Sequence, residues 1–363
     1  MPQGNDIGSD ALVIGAGIAG LCTALALRER GLSVRLIDRG PVGREASWAG
    51  GGILSPLCPW REDPALATLT PWCQRFYRTM APALRQATGI DPEWVESGLL
   101  CLDAEEQDAA LAWAAASGAR MEPLTREEAR DLSPAAGVTA PALWLPTVAQ
   151  IRNPRLLAAL TVLLRQRGVE IEEGNPCQGL WLEGGQVRGA HTDQGPRAAA
   201  ATILATGVWS SGLAGLPATA IEPVRGQMLL YHLDPPLLGP ILLKGGRYAI
   251  PRQDGHCLVG STVERAGFTI ETTAAATLDL RAAATALLPF LAEQPPLRQW
   301  AGLRPNTPSG LPLVGPVPGH PGLYLHTGHF RTGLLHAPGT AEILAALLVG
   351  DTPPFDPQPY LPS

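Results

Sequence analysis

After a polar, acidic lead-in (residues 1–10) the chain carries an unbroken apolar run at 11–14, then a longer block rich in alanine and leucine at 21–30. A short continuous apolar run predicts a strand buried on both faces. The longer block predicts a helix, with Gly31 at the position that closes one. Residues 33–37 alternate and are β-branched, predicting a second strand that ends at Asp38. Strand, helix, strand makes one βαβ unit at the start of the chain.

The pattern then changes. A glycine-rich, loop-like stretch at 40–59 contains the triplet Gly50-Gly51-Gly52, and a helix is predicted over 64–88. Short strands at 99–102, 142–145, 227–231, 247–250 and 257–259 are separated by Pro, Gly and Asp turns, as in an antiparallel sheet. Between them, 153–167 reads as a helix, and 170–172 and 199–205 as strands able to rejoin the first unit. Near the end, 323–326 is a strand, followed by a glycine-rich turn and a helix over about 335–348. A chain of 363 residues is too long for one compact core. The two alternating styles predict a discontinuous α/β domain (1–85, 146–220 and 301–363) with an antiparallel α+β domain inserted twice (86–145 and 221–300).

Composition narrows the function. With 45% hydrophobic and 17% charged residues and a net charge of −6, the chain has no general surface for nucleic acid or anionic membrane. No apolar run approaches the roughly 18 residues that span a bilayer. The six cysteines form no CxxC and no zinc-like spacing with histidine, so they read as reduced thiols. The lead-in lacks the basic-then-apolar order of a secretion signal. A small-molecule role in the cytoplasm is the expectation.

The chemistry begins at Gly15-Ala16-Gly17-Ile18-Ala19-Gly20, between the first strand and its helix. Gly15 permits the tight turn, Gly17 lets backbone approach a pyrophosphate, and Gly20 allows close helix packing. The helix start then presents free N–H groups and positive dipole to phosphate. Asp38 can accept from ribose hydroxyls and would repel a 2′-phosphate, which disfavours NADP despite the adjacent Arg39. Two further glycine segments favour FAD over NAD. One is Arg44 to Ile53, where bare backbone can lie flat against a large ring. The other is Thr327 to Gly333, a second strand, glycine turn and helix start suited to an anionic ring.

At these residues the sequence resembles the D-amino-acid oxidase family of flavoproteins, and within it the glycine-oxidase branch tied to the thiazole half of thiamine synthesis. The matching strings are VIGAGIAGL, DRGPVGREASWAGGGILSP, IRNPRL, ILATGVWS, PVRGQM, GRYAIPR, WAGLRPNTPSGLPLVGP and GHFRTGLLHAP. The resemblance implies a Rossmann-type FAD domain with a substrate domain on an antiparallel sheet. It implies cofactor contacts at Ile18, Ala19, Asp38, Arg39, Ala46 and Ser47, with Gly51, Gly52 and Ile53 by the flavin and Cys177 near the adenine. His329, Phe330, Arg331, Thr332, Gly333, Leu334 and Leu335 would run along the pyrimidine side. Arg304 and Tyr248 match the family's carboxylate anchors, Arg331 a second active-site position, and Val263 a pocket-lining position. Relatives are often tetramers, so a homo-oligomer is implied.

Each assignment has a plainer alternative. The guanidinium of Arg304 suits bidentate capture of a carboxylate, but also a structural ion pair. Tyr248 could be an ordinary half-buried strand tyrosine. Arg331, a cation beside a helix start, calls for an anionic neighbour unless it is simply solvated. Val263 could be core. His326, His329 and His336 fit no familiar metal spacing, and no GxSxG elbow is present. Trp48, Trp60 and Trp72 read as packing. The expected reaction is hydride transfer from the Cα of glycine, sarcosine or a small D-amino acid to non-covalent FAD, with dioxygen reduced to hydrogen peroxide. Rivals are a sarcosine-type oxidase, a D-amino-acid dehydrogenase using a quinone, and a noncatalytic FAD-binding protein.

Overall fold

A computed structural model describes residues 8–103, 106–212 and 220–362. The lead-in read above for targeting therefore lies mostly outside the described residues.

The strand Ser9–Ile14 sits inside a sheet ordered Leu313–Pro316, Leu323–Thr327, Gly195–Leu204, Ser9–Ile14, Val34–Ile37, Glu170–Glu172. The five strands from Leu323–Thr327 onward run parallel; Leu313–Pro316 is antiparallel to its neighbour. Alternation explains why residues 11–14 of the central strand are all apolar. Ala11 and Val13 face one core, beneath the helices Ile18–Glu29, Pro64–Thr88, Asn153–Gln166 and Gly333–Val349. Leu12 and Ile14 face the other, closed by the hairpin strands Cys177–Glu183 and Gln186–Thr192. A polar residue on either face would lie unsolvated.

The second sheet runs Arg298–Asn306, Glu222–His232, His256–Gly260, Arg247–Pro251, Ile241–Lys244, Leu99–Cys101, Ala142–Leu145, Glu122–Leu124. It is antiparallel except between Ile241–Lys244 and Leu99–Cys101, which pair in parallel. One face packs on the helix Ala274–Leu287. The other carries Met228, Tyr248 and Ile250 toward the glycine-rich loop.

Several expectations change here. Arg304, which the sequence places at a strand end before a proline turn at Pro305, lies within the nine-residue strand Arg298–Asn306, opposite Val224, and Pro305 continues that strand. The expected boundary at 301 falls inside this strand of the second sheet. The first helix begins at Ile18, inside the glycine motif, and ends one residue before Arg30, with Gly31 at φ +84° beyond it. Besides the single turn Ala46–Ala49 in the loop-like stretch, the helices Gln107–Ser117, Arg126–Leu132 and Ala274–Leu287 are absent from the sequence reading. Alanine gives the first and last little hydrophobic contrast to read. The middle one carries a legible signal, a capping box in which Thr125 and Glu128 bond reciprocally.

Among the described residues, no helix is long and apolar enough to cross a membrane.

Candidate active site

The three glycine segments meet at one cavity of about 990 Å³ between the two sheets. The first turn is shaped by backbone. Gly15 has φ +103°, and a side chain there would strike the Ala205 carbonyl at 2.5 Å. A Cβ at Gly20 would overlap the Gly15 carbonyl oxygen, so the helix can approach the strand only as glycine. The Ile18 N–H, among the first free donors of the helix, bonds Ser47 Oγ at 2.9 Å. The Asp38 carboxylate accepts from the Ala16 N–H at 2.7 Å and the Gly40 N–H at 2.9 Å. Its expected ribose role thus shares the group with backbone. Burial pushes its pKa up, while those two amides pull it down. Arg39 pairs with Glu45 at 2.5 Å and lies 3.7 Å from the Trp209 ring centre.

The middle loop is pinned by residues that sequence reasoning missed. Asn153 donates to the Ser47 and Gly50 carbonyls at 2.8 and 3.1 Å. Arg252, buried, donates to the Gly51 carbonyl and to Gln150 Oε1, each at 2.7 Å. Desolvation draws its pKa down to about 10. Gly51 has no room for a side chain: a Cβ would lie 2.8 Å from Ile250 and 3.3 Å from the Tyr248 hydroxyl. The glycine triplet is thereby pressed against the second sheet.

The substrate-facing wall comes from that sheet. Among the described residues Arg304 bonds the Thr262 carbonyl at 3.2 Å and Ser261 Oγ at 2.7 Å, two of the five N–H groups of a guanidinium, and it lines the cavity. Its pKa is lowered by desolvation, with Arg331 and Arg247 pushing the same way and Tyr248 and Glu264 opposing. A further anion is what this cluster of cations calls for. Gly226, across the strand pair, is where the guanidinium lies; any Cβ there would overlap it. Gly260 stands opposite Tyr248 and leaves room for its ring, whose hydroxyl lies 3.4 Å from Met228 Sδ. Neither glycine drew notice in the sequence, because each is required by a neighbour across the sheet.

The last turn is held by side chains. His326 Nδ1 meets Thr23 Oγ1 at 2.6 Å, and both His326 Nε2 and His329 Nε2 meet Thr340 Oγ1, at 2.8 and 2.9 Å. Burial lowers the pKa of His326 well below its ordinary value and that of His329 to about 4. Phe330 takes φ +47°, rare for an aromatic, and its N–H bonds the Pro305 carbonyl at 2.9 Å. Tyr77 donates to the Leu334 carbonyl.

Gly15, Gly17, Ile18, Ala19, Asp38, Arg39, Ala46, Ser47, Gly51, Gly52, Ile53, Cys177, Tyr248, Arg304 and the run from His329 to Leu335 all line the cavity. Gly20 lies behind the wall, in its packing role. Val263 is a correction: it is 46% exposed and outside the lining, so it neither bounds the pocket nor joins the core. Trp48 packs edge-on against Trp300, and Trp72 stacks on Phe76. Trp60 donates to Glu106 at 2.6 Å.

Two helix starts opening on one long cavity, a carboxylate at the end of the second strand and a bare-backbone loop between them suit a flavin dinucleotide. The chain belongs to the DAO family of FAD dependent oxidoreductases, matched over residues 10–347. It is 44% identical over 357 residues to the glycine oxidase of Pseudomonas aeruginosa, covering 97% of this chain and 98% of that one. It is 33% identical to the bifunctional protein ThiO/ThiG of Nostoc sp., over 94% of this chain and 52% of that one. The crystal structure of glycine oxidase from Geobacillus kaustophilus superposes with a TM-score of 0.91, at 28% identity and 98% coverage of both chains. The protein is a flavin-dependent enzyme, and FAD is its cofactor.

Proposed function

We propose that the protein oxidatively deaminates glycine and related small amines, sarcosine and small D-amino acids among them. The observation that carries this reading is Arg304, a desolvated cation on the wall of the flavin cavity. Arg304 and the Tyr248 hydroxyl receive the substrate carboxylate, which fixes the direction of the Cα–H bond. Arg331 adds positive charge to the same wall. Bound FAD supplies the two-electron acceptor, returning electrons to dioxygen as hydrogen peroxide. The resulting imine hydrolyses to glyoxylate and ammonia when glycine is the substrate. No side-chain base is needed if the amine enters neutral.

We also infer the two-part division of the chain, with the second sheet including Arg298–Asn306. FAD is held without a covalent bond: residues 258–363, which include the region around Arg304, contain no cysteine to attach it. A homo-oligomer follows from the family resemblance, and a cytoplasmic location from the six cysteines read as reduced thiols. The test is an oxygen electrode with glycine, sarcosine and D-alanine and no added acceptor. Oxygen uptake with peroxide formation supports an oxidase. Turnover only with a quinone or dye would make it a dehydrogenase.

A further inference from the structure

One buried carboxylate on the cavity wall has no part in this scheme. Glu62 lies between the turn Pro59–Arg61 and the helix Pro64–Thr88, and its side chain is only 6% exposed. It is not the cap of that helix, because Asp63 is, accepting from the Ala65 N–H at 2.8 Å. Nor, among the described residues, is its charge met by a neighbouring cation. Arg61, next to it but for the backbone, binds Glu106 at 2.5 Å. Its polar neighbours are the Thr70 hydroxyl, 3.2 Å from Oε2, and His336 Nε2, 3.9 Å from Oε1.

Among the described residues, every element packed around Glu62 leaves its charge unmatched. On its own segment Asp63 is a like charge, and Cys58 and Arg61 lie in the preceding turn. On the following helix stand Thr70 and the buried Cys73 thiol, whose pKa Glu62 helps to raise. On the last helix are Leu334, Leu335 and His336. His336 is neutral, its pKa lowered by burial to about 3, so it supplies no countercharge. With Nε2–H given to Thr70 Oγ1 at 2.8 Å, Thr70 can in turn donate to Glu62. A carboxylate kept out of water without an ion pair is costly as an anion, and burial pushes its pKa up to about 7.

We propose that Glu62 sets the charge of the cofactor cavity: as an anion it weakens the hold on the negatively charged dinucleotide, and as a neutral acid it does not. This rests on the FAD assignment and deepens it. The effect is electrostatic, across a shared low-dielectric cavity, and needs no contact between Glu62 and the cofactor. The proton exchanges with solvent.

The experiment measures the FAD dissociation constant of the whole protein by flavin fluorescence from pH 5.5 to 8.5, for wild type, Glu62→Gln and Glu62→Asp. In wild type the affinity should fall by about tenfold across the range, the effect of one unit charge in a partly buried site. The midpoint should lie near pH 7. Glu62→Gln should hold the acid-limb affinity throughout, and Glu62→Asp should keep a pH-dependent loss. His326, His329 and His336 stay neutral over this range and leave the difference to Glu62. If Glu62→Gln follows the wild-type curve at every pH, the proposal is overturned. If no protein takes up FAD at any pH, the cofactor assignment falls and this inference with it.

Discussion

The two glycine turns that open on the cavity look alike in outline, strand to turn to helix, and are built by opposite means. The turn at Gly15–Gly20 is a backbone device, in which the absence of side chains lets strand, helix and ligand approach. The turn at Gly328–Gly333 is a side-chain device. It contains a bulky residue in left-handed conformation, Phe330, and is anchored by two histidines on one threonine. The first turn is set mainly by a short local string, with Asp38 and Ser47 accepting from its N–H groups. The second needs partners far away, Thr23 lying 303 residues from His326.

The contrast is sharpest when a branched side chain is added to one turn and a hydroxyl removed from the other. Gly20→Val should be the most damaging change, because its side chain overlaps the Gly15 carbonyl oxygen. A loss of about 3 kcal/mol or more is expected, with little flavin retained. Thermal unfolding and visible absorbance would register both. An unchanged spectrum would mean that the first turn tolerates side chains after all.

Thr340→Val, nearly isosteric, removes the shared partner of His326 and His329 and should cost about 2 kcal/mol. A double-mutant cycle with Thr23→Val should show coupling, since both act through His326. Simple additivity would show that the histidines are held by packing alone.

Acid provides a milder probe. His326, His329 and His336 are kept neutral by burial, with lowered pKa values, His329 at about 4 and His336 at about 3. The unfolded chain binds more protons than the folded one below about pH 6.5, so their contribution is complete above that value. It is lost as pH falls toward 4. Glu62, raised to about 7, has the opposite sign, losing stability as pH rises from about 4.5 to 7. Three histidines outweigh one carboxylate, so the unfolding temperature should drop from pH 6.5 to 4. A level profile would place water at the second turn.

The smallest effect belongs to Val263. Exposed and outside the cavity, it should tolerate Ala with under about 0.5 kcal/mol of change and an unaltered KM for glycine. A shifted KM would return it to the pocket.

The same contrast explains what the sequence disclosed. The βαβ unit, the helix Pro64–Thr88, the strand that carries Tyr248 and the strand His256–Gly260 beside it were legible because local pattern dictates them; the strand Ile241–Lys244 on its other side was not. Arg304 was legible as a residue type and through the family strings, although its setting within a strand was not. Gly226, Asn153 and Arg252 lie inside the family strings, yet they and Gly260 drew no role, since each is defined by a contact with another segment; Arg252 reaches Gly51 across 201 residues. Glu62 gave no signal either, because nothing in a sequence distinguishes a buried carboxylate from a solvated one.

The central claim, that Arg304 holds a substrate acid group beside the flavin, is best tested by anaerobic titration of the yellow protein with glycine while following flavin absorbance. The prediction is saturable bleaching in wild type. Arg304→Ala should keep its visible spectrum yet need about 100-fold more glycine, the loss of a charge-assisted contact. Equal bleaching of both proteins at the same concentration, or none in wild type, would contradict it.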